Sequence, residues 1–452
     1  MSRNNIRNKT KKPVKPKVLK SGKRSLPKIR KRKVSKKPLL EGILPKKKAK
    51  KYVRSTVAKE AIRNKLSFKS QFLKIFAFNK YTKPDIILLI TFIVLLLSGV
   101  FIVLDTSLVF AKREFNNVFH FVLLQSMWVG ISFIIFIISY FIDYRIIKKA
   151  SIFFFIITVG LLIYALFSQE INGAKSWISL GGFTIQPSEI AKLPFVLFIA
   201  GFLAKKKKWL TKKEFIIDDL APFLFYFFVI VGLILLGKDL GTSIIIVATA
   251  LIMYFFKSST KYEYVALIII TIIVFLGGIL MIASQGYRNE RVSVWWNVLT
   301  NDTVINEKDE GYQMKQILLA LGTGGVTGVG LGESLQKYNL VETTAATDSV
   351  IAIIAEEFGF IGVVVILFMF LIFIFRGLVV TSIVKDKYGQ IVAIGIVSWI
   401  GTQVFVHIAS NVAVTPLTGV TLPFLSYGGS STIACVAAVG ILLNISRSEK
   451  KD

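Results

Sequence analysis

Cysteine and histidine are nearly absent from this chain of 452 residues. It contains one cysteine, Cys435, and two histidines, His120 and His407. A single cysteine excludes an intrachain disulfide and a metal site built from several cysteines. With only two histidines, a histidine-based zinc site is not expected either.

Acidic residues are also scarce, 26 against 57 lysines and arginines, and the imbalance is concentrated at the N-terminus. Residues 1–80 carry a net charge of +27, whereas the rest of the chain carries +4. With few apolar residues and scattered prolines, this segment is predicted to be a disordered tail. Attraction to anionic lipids of the cytoplasmic leaflet is the favoured interpretation. A cytosolic partner or nucleic acid is the alternative, and of these we do not expect nucleic acid.

Apolar residues, in contrast, are abundant: they make up 54% of the chain, and its mean hydropathy is +0.63. They recur in runs of about 20 residues, the length that crosses a bilayer as a helix. The predicted fold class is an all-α polytopic membrane protein with ten transmembrane helices. The predicted spans are 85–104, 118–142, 151–168, 187–204, 217–236, 240–256, 264–283, 348–375, 390–413 and 428–445.

Lysine and arginine orient these spans. The predicted loops 143–150, 204–214 and 376–389 are rich in both residues and fall on the same side as the basic tail. By the positive-inside rule that side is the cytoplasm, so both termini are predicted to be cytoplasmic. The predicted domains are the tail, a ten-helix domain over 81–447 and a cytoplasmic C-terminus, 448–452.

Four other connections are predicted to lie on the outer face, and they hold many of the polar residues between the spans. Polar loops at the outer end of an apolar bundle suit a substrate with a lipid tail in the membrane and a polar head in water. The longest of them joins the seventh and eighth spans. The four segments are 105–117, 169–186, 284–347 and 414–427.

Asp348 opens the eighth span directly after the long polar segment, and Glu356 and Glu357 lie deeper in the same apolar run. Charges at membrane depth are costly unless they are paired or hydrated, which makes all three carboxylates candidates for function. Asp348 could instead be the N-cap of its helix, with Thr347 an equally good cap. Helix packing or internal pairing explains the two glutamates as well as chemistry does.

The glycine-rich run GTGGVTGVGLG, at Gly322–Gly332, matches neither a dinucleotide-binding fingerprint nor a P-loop, and no βαβ pattern surrounds it. Nucleotide binding is therefore rejected. Small residues let backbones approach closely, so the run predicts a re-entrant or close-packed segment. The segment 416–431, interrupted by proline and glycine, predicts broken backbone that lies against protein or a wet cavity.

Three basic residues are placed where they could meet an anionic head group. Lys192 lies one turn inside the fourth span, from which its ammonium could extend outward. Arg288 and Arg291 are three residues apart and share one face if that segment is helical. Guanidinium groups match phosphate oxygens well, although arginines beside a membrane end are usually interfacial anchors.

Eight motifs resemble, in order and in spacing, those of the SEDS family (shape, elongation, division and sporulation). They are GAKSWI, QPSEIAK, KDLGT, YRNER, GYQMKQ, GVGLGESLQK, TDSVIAIIAEEFGFIG and TGVTLPFLSYGGSS. The resemblance implies a ten-helix fold that polymerises lipid II into glycan strands at the outer face of the bacterial cytoplasmic membrane. It also implies a class B penicillin-binding protein as partner, together with divisome components.

The branch within this family is indicated by two of the motifs. GLGESLQK and TLPFLSYGGSS are more similar to the division and sporulation branch (FtsW-like) than to the rod-elongation branch (RodA-like). The residues PLTG, at Pro416–Gly419, favour the elongation branch instead. A role in septal wall synthesis is therefore expected, with an elongation-type polymerase as the alternative.

The resemblance also implies roles for individual residues. Asp348 matches the catalytic position and would act as the general base that deprotonates an acceptor sugar hydroxyl. The implied pyrophosphate contacts are Lys192, Arg288, Arg291 and Lys337. A divalent cation, Mg²⁺ or Mn²⁺, could assist by the same charge logic. The other implied substrate contacts are Gln186, Glu189, Asp239, Gln313 and Ser426.

This chain departs from the family pattern at several positions. Ser176 stands where arginine is common, and Gly237-Lys238 stand where Gln-Pro or Glu-Pro precedes the aspartate. His407 stands where asparagine is usual.

Two non-enzymatic kinds of protein fit the same features: a lipid II transporter (flippase) and a division scaffold. A transporter needs a charged path across the bilayer midplane. Here the polar groups cluster at the outer ends of the spans, which favours the enzyme.

Overall fold

The computed structural model describes most of the chain that follows the basic tail. The tail (1–80) and the last four residues lie outside the described residues. The described ranges are 83–170, 174–181, 183–205, 212–258, 260–284, 286–300, 310–340 and 344–448.

These ranges are mainly α-helical, which confirms the predicted fold class. The helices are α1 (Ile86–Phe115), α2 (His120–Phe141), α3 (Tyr144–Leu166), α4 (Pro187–Leu203), α5 (Lys212–Phe215), a π-helical turn (Ile216–Leu220), α6 (Ala221–Leu236), α7 (Leu240–Lys257), α8 (Lys261–Ser284), α9 (Gly286–Thr300), α10 (Glu310–Gly324), α11 (Gln336–Asn339), α12 (Val350–Ile383), α13 (Lys387–Asn411) and α14 (Gly429–Ser446).

A small β-hairpin lies between α3 and α4. Its strands, β1 (Ile178–Leu180) and β2 (Phe183–Ile185), pair antiparallel, with Ile178 opposite Ile185. The hairpin leads into Pro187, the first residue of α4, where the fixed φ of proline suits a helix start. The start of the fourth predicted span is thereby confirmed.

Each of the ten predicted spans falls on a helix. Within the described residues, eight helical segments are long and apolar enough to cross a membrane. The two remaining predicted spans fall on α4, which has 17 residues, and on α8. The number ten itself stays a prediction.

Two of the loops are shorter than predicted, because the helices extend into them. Loop 143–150 is helical from Tyr144 onward, since the Asp143 carboxylate accepts a hydrogen bond from the Arg145 N–H and caps α3. Helix α12 continues to Ile383 and therefore includes Arg376. Hydropathy places span ends at charged residues, whereas helices continue through charges that are capped or paired.

The long segment predicted as the outer loop 284–347 also contains helices, namely α9, α10 and α11. Its apolar side chains build a second, smaller core that is separate from the centre of the bundle. In that core Met314 and Ile317 of α10 pack with Leu340, Ala345 and Ile353. The segment is therefore a packed element beside the start of α12.

Helices α13 and α14 form the centre of the bundle. Most of their residues are buried, whereas α2, α3 and α12 expose much of their apolar surface. Trp399 of α13, Ile199 of α4 and Leu442 of α14 have no exposed surface. Helices that are apolar on all sides are typical of membrane spans.

The bundle has two ends, which we name after Asp85 and Asp348. At the Asp85 end, the Asp85 N–H donates to the Ser446 hydroxyl (3.1 Å), so the start of α1 meets the end of α14. Arg376 forms an ion pair with the Asp85 carboxylate at the same end. The Asp348 end holds the β-hairpin and the starts of α4, α7, α12 and α14.

Candidate active site

Asp348 lies in a turn that directly precedes α12. The helix begins at Val350, and Ser349 occupies the N-cap position. The alternative that Asp348 or Thr347 is the N-cap is therefore wrong. Asp348 is half-buried.

Two long polar side chains fix the Asp348 turn from different helices. The Asn411 side-chain amide, at the end of α13, donates to the backbone carbonyl of Asp348 (2.8 Å) and to that of His407 (2.9 Å). The Gln313 amide, in α10, donates to the Ser349 hydroxyl (3.1 Å). Asn411 was not among the residues predicted from the sequence, because its partner lies 63 residues away in the chain.

The irregular segment before α14 fixes the turn from a third direction. The Ser426 hydroxyl donates to the Thr347 carbonyl (2.5 Å), and the Tyr427 N–H donates to the Ala346 carbonyl (2.8 Å). Leu425 of this segment is fully buried. The prediction that this broken backbone lies against protein is confirmed.

The Asp348 carboxylate has a hydroxyl on one side and a glycine on the other. The Thr347 hydroxyl donates to Asp348 Oδ1 (3.1 Å). A Cβ atom built on Gly419 would lie 3.9 Å from Asp348 Oδ2, and Gly419 has a φ of +65°. Any side chain at position 419 would therefore be strained and would touch the carboxylate.

Asp239 is the centre of a hydrogen-bonded cluster at the same end of the bundle. Its carboxylate caps α7 by accepting from the Thr242 N–H (3.0 Å), and it also accepts from the Gln186 amide (2.9 Å) and the Ser188 hydroxyl (2.6 Å). The Gln186 N–H donates to the Ser430 hydroxyl (3.0 Å). The cluster thus ties the starts of α4, α7 and α14 together.

Lys192 lies inside the bundle, with 1% of its surface exposed. Its ammonium donates to Glu189 Oε1 (2.5 Å) and to Gln403 Oε1 (2.9 Å). The Gln403 amide in turn donates to the Thr421 carbonyl (2.9 Å). The ammonium therefore faces the interior and not a head group, and Gln403 is a partner that the sequence did not reveal.

Lys337 is likewise buried, between two carboxylates. Its ammonium lies 2.7 Å from Glu357 Oε1 and 3.1 Å from Asp105 Oδ1. Burial alone would lower the pKa of Lys337, but the hydrogen bonds that its ammonium donates to Glu357 and Asp105 outweigh burial and raise this pKa above its usual value. Asp105 escaped the sequence analysis because α1 extends past the predicted end of the first span.

Glu356 binds neutral donors at the start of α11. Its carboxylate accepts from the Ser334 hydroxyl (2.5 Å) and from the N–H groups of Leu335 and Gln336 (3.2 Å each). Both glutamates of α12 therefore have partners within the protein. This confirms the internal pairing that the sequence allowed.

Helix α12 is broken at Gly359, which has a φ of 67° and a ψ of −167°. The glycine-rich segment between α10 and α11 fills the break with four backbone hydrogen bonds. They run from Val329 N–H to the Glu356 carbonyl (2.9 Å), from Gly330 N–H to the Glu357 carbonyl (3.1 Å), from Phe360 N–H to the Gly325 carbonyl (2.9 Å) and from Ile361 N–H to the Val326 carbonyl (3.2 Å).

The backbones at this break are in direct contact. A Cβ atom at Gly328 would lie 2.1 Å from the Glu357 carbonyl oxygen, and one at Gly324 would lie 1.9 Å from the Ala355 carbonyl oxygen. Only glycine permits these approaches. The predicted close-packed segment is confirmed.

The structure thus places the predicted site residues in three groups. Gln186, Glu189, Lys192 and Asp239 share the helix starts around α4; Gln313 and Ser426 hold the Asp348 turn; Lys337, in α11, is paired with Glu357 of α12. The side chains of Arg288 and Arg291, on α9, lie outside the described residues.

Two of the departures from the family pattern touch each other. The Ser176 hydroxyl donates to the Gly237 carbonyl (2.7 Å). A Cβ atom at Gly237 would lie 3.2 Å from the Ser176 oxygen and 3.1 Å from the Lys175 carbonyl. The small residues at these two positions therefore fit one another.

No group of three or more His, Cys, Asp or Glu side chains that could hold a metal ion occurs in the part of the chain that the structure describes. The described side chains therefore supply no ready-made set of metal ligands. No step of the mechanism below depends on a metal.

Comparisons with known proteins agree on one family. The model of the FtsW/RodA/SpoVE family, described as cell cycle proteins, matches residues 86–451. The chain is 36% identical to the stage V sporulation protein E of Bacillus subtilis (strain 168), over 81% of this chain and 98% of that protein. It is 35% identical to a probable peptidoglycan glycosyltransferase FtsW of Geobacter sp. (strain M18), over 80% of this chain and 96% of that protein.

Solved structures share the fold at lower identity. A peptidoglycan synthase complex that coordinates polymerisation and crosslinking contains a chain with a TM-score of 0.63 at 23% identity, covering 80% of this chain and 97% of that one. The rod shape determining protein RodA of Thermus thermophilus has a TM-score of 0.56 at 23% identity, covering 82% and 98%.

Proposed function

The chain belongs to the FtsW/RodA/SpoVE family of cell cycle proteins, and we propose that it is a peptidoglycan glycosyltransferase that polymerises lipid II into glycan strands. The observation that carries the proposal is the Asp348 turn. Side chains or backbone groups from α10, α13 and the segment before α14 hold it at one end of the bundle. A carboxylate fixed in this way suits a general base.

In the proposed reaction, Asp348 takes the proton of an acceptor sugar hydroxyl. The oxygen of that hydroxyl attacks the anomeric carbon of the donor at the same time. The bond from that carbon to the donor's diphosphate breaks, and the diphosphate leaves with the electron pair. General-base catalysis of this kind contributes about 10²–10⁴-fold to the rate. The Asn411 and Ser426 contacts act by fixing the turn, because a base is effective only at a defined distance from the hydroxyl.

The leaving diphosphate needs cations. Arg288 and Arg291 of α9 are the proposed contacts, since a guanidinium binds two phosphate oxygens at once. Lys192 and Lys337 are held by carboxylates, so a direct phosphate contact would require each to exchange its partner. A divalent cation, Mg²⁺ or Mn²⁺, enters the proposal only as an ion bound mainly through the diphosphate itself.

The Asp348 end is assigned to the outer face of the cytoplasmic membrane. In support, several basic residues at the Asp85 end stack on aromatic rings: Lys148 on Tyr388, Lys387 on Phe256 and Arg447 on Tyr140. Basic residues favour the cytoplasmic side, and both termini would lie there. The basic tail would then face the anionic lipids of the inner leaflet.

A class B penicillin-binding protein is the proposed partner, and the divisome is the proposed setting. The similarity to a chain of a synthase complex that couples polymerisation with crosslinking supports the partner. The similarity to a sporulation protein and to FtsW proteins supports a role in division over one in elongation.

The proposal is tested with purified protein in proteoliposomes that contain lipid II, with and without a class B penicillin-binding protein. Asp348→Asn is expected to lower glycan polymer formation by at least about 100-fold without loss of folded protein. Glu333→Gln, a change of an exposed carboxylate, is the control and should retain wild-type activity.

The two non-enzymatic alternatives give other results in this assay. Wild-type polymer from Asp348→Asn would refute the base. A transporter would move lipid II across the bilayer without polymer, and a scaffold would do neither.

A further inference from the structure

The catalytic turn belongs to a chain segment whose two ends are joined to each other. The residues that join them, Lys337, Glu356 and Glu357, lie outside the turn. The Lys337–Glu357 ion pair joins residues 20 positions apart, and the Ser334–Glu356 hydrogen bond joins residues 22 apart. Asp348 lies about midway between the joined residues. We propose that these three residues are positioning residues, which fix the Asp348 turn by locking residues 334–337 onto the break in α12.

The proposal rests on the proposed function of Asp348 and adds to it how the base is held. Closing a flexible segment restricts the positions that its middle can occupy. The Asn411 and Ser426 contacts hold the turn itself, whereas the lock joins the two ends of the chain segment that contains the turn. Leu340 connects the two, because it packs in the second core with Ala345 and Ile353 on either side of Asp348.

The depth of the lock separates it from direct substrate contact. Glu357 is nine residues after Asp348, which corresponds to about 13 Å along a helix. The Lys337 side chain is 2% exposed, and its ammonium bonds two carboxylates. A residue in this place acts on the reaction through the segment that it closes.

The charges around Lys337 explain why its removal should be costly. Glu356 is compensated by N–H groups at the start of α11, so the single cation Lys337 is left to serve both Asp105 and Glu357. Removing the lysine leaves the buried carboxylate of Glu357 and the half-buried carboxylate of Asp105 without their cation, which is strongly destabilising for a buried ion pair. Removing all three charges relieves that penalty, since neutral replacements of a buried triad are often tolerated.

The opposite end of the bundle supplies a matched control. There Lys257 also lies between two buried carboxylates, Asp219 and Glu263. Lys257→Met therefore removes the same kind of buried cation far from Asp348. Both lysine variants should lower the melting temperature, but only Lys337→Met should affect the turn.

The experiment uses the full chain in proteoliposomes. Lys337→Met is expected to lower kcat for lipid II polymerisation about 10- to 100-fold with little change in KM, because a small misplacement of a base is enough for such a loss. Amide hydrogen exchange at residues 344–349 should become faster than in wild type and in Lys257→Met. The triple variant Lys337→Met/Asp105→Asn/Glu357→Gln should regain part of the melting temperature, because no unpaired charge remains, but not the lost kcat, because the lock is still absent.

A binding measurement distinguishes positioning from phosphate contact. In the Asp348→Asn background, which cannot turn over, adding Lys337→Met should leave the affinity for lipid II unchanged. Weaker lipid II binding would overturn the proposal in favour of a direct contact, and wild-type kcat in the triple variant would show that the lock is not needed. Unchanged exchange at 344–349 would overturn it as well.

These results are separable from a failure of the proposed function. If the wild-type protein makes no polymer, the glycosyltransferase proposal fails, and the exchange measurement still decides whether Lys337 holds the turn. If the wild type is active and Lys337→Met is equally active, only the positioning role fails.

Discussion

Glu356 and Glu357 are neighbours in the chain, yet they bind different kinds of partner. Glu356 accepts from backbone N–H groups and the Ser334 hydroxyl, whereas Glu357 binds the Lys337 ammonium. Adjacent residues of a helix point in directions about 100° apart, which allows this division. The sequence predicted pairing as an option, but not the partners, because they lie about 20 residues earlier in an irregular segment.

Ser334 tests the Glu356 side of this arrangement. Its hydroxyl is fully buried, donates to Glu356 and accepts from the Lys337 N–H (3.2 Å). Ser334→Ala should destabilise the protein by about 1–3 kcal/mol, because a buried carboxylate loses a donor. The thermal unfolding transition is the measurement, and Ser382→Ala, at an exposed site in α12, should leave it nearly unchanged. Equal transitions for both variants would contradict this account of Glu356.

Lys337 gives a prediction for pH. Its pKa is raised in the folded protein, so its stabilising charge is fully present below its usual pKa of about 10.4 and is lost only as pH rises through the higher folded value. The Lys337 ammonium therefore stays charged from about pH 6 to pH 9. Polymerisation by Lys337→Met, measured across that interval, should show the wild-type profile at lower amplitude. A profile of a different shape would contradict a purely positioning role for Lys337.

Elements were predicted well where apolar runs are long, and poorly where polar residues are helical. All ten apolar runs are helical, but the hydropathy of α9 and α10 is too low to separate them from a loop. The break at Gly359 was also missed, because the surrounding residues read as one continuous span. What the sequence could show was the glycine-rich run that fills the break, since only small residues allow that contact.

Gly328 tests this docking of one element on another. A methyl group there would lie 2.1 Å from the Glu357 carbonyl oxygen, at a residue with a φ of +84°. Gly328→Ala should therefore detach the segment from α12 and lower both the melting temperature and polymerisation. Gly322→Ala is the matched control, because the space around Gly322 in α10 is open and alanine favours a helix by about 1 kcal/mol. A Gly328→Ala protein as stable and active as Gly322→Ala would show that the contact is not needed.

In the molecule as a whole, most of the net positive charge and the candidate active site lie in different parts of the chain. The basic tail carries +27 and the rest of the chain +4, while the residues around Asp348 belong to the helical bundle. Composition alone was enough to predict this separation. The geometry of the site was not predictable in the same way, because its contacts join residues as far apart as Gln125 and Ser426.

Deletion of residues 1–60 tests the proposed role of the tail. Polymerisation in proteoliposomes should be nearly unchanged, because none of the residues around Asp348 is removed. Binding of the protein, held in nanodiscs of zwitterionic lipid, to anionic vesicles should weaken strongly, since each basic residue near such a surface contributes about 1 kcal/mol. Replacing the lysines and arginines of 1–60 by glutamine is the control for length and should have the same effect as deletion. Complete loss of polymerisation by the inserted, truncated protein would show instead that the tail takes part in catalysis, and unaltered vesicle binding would assign its ligand to something other than lipid.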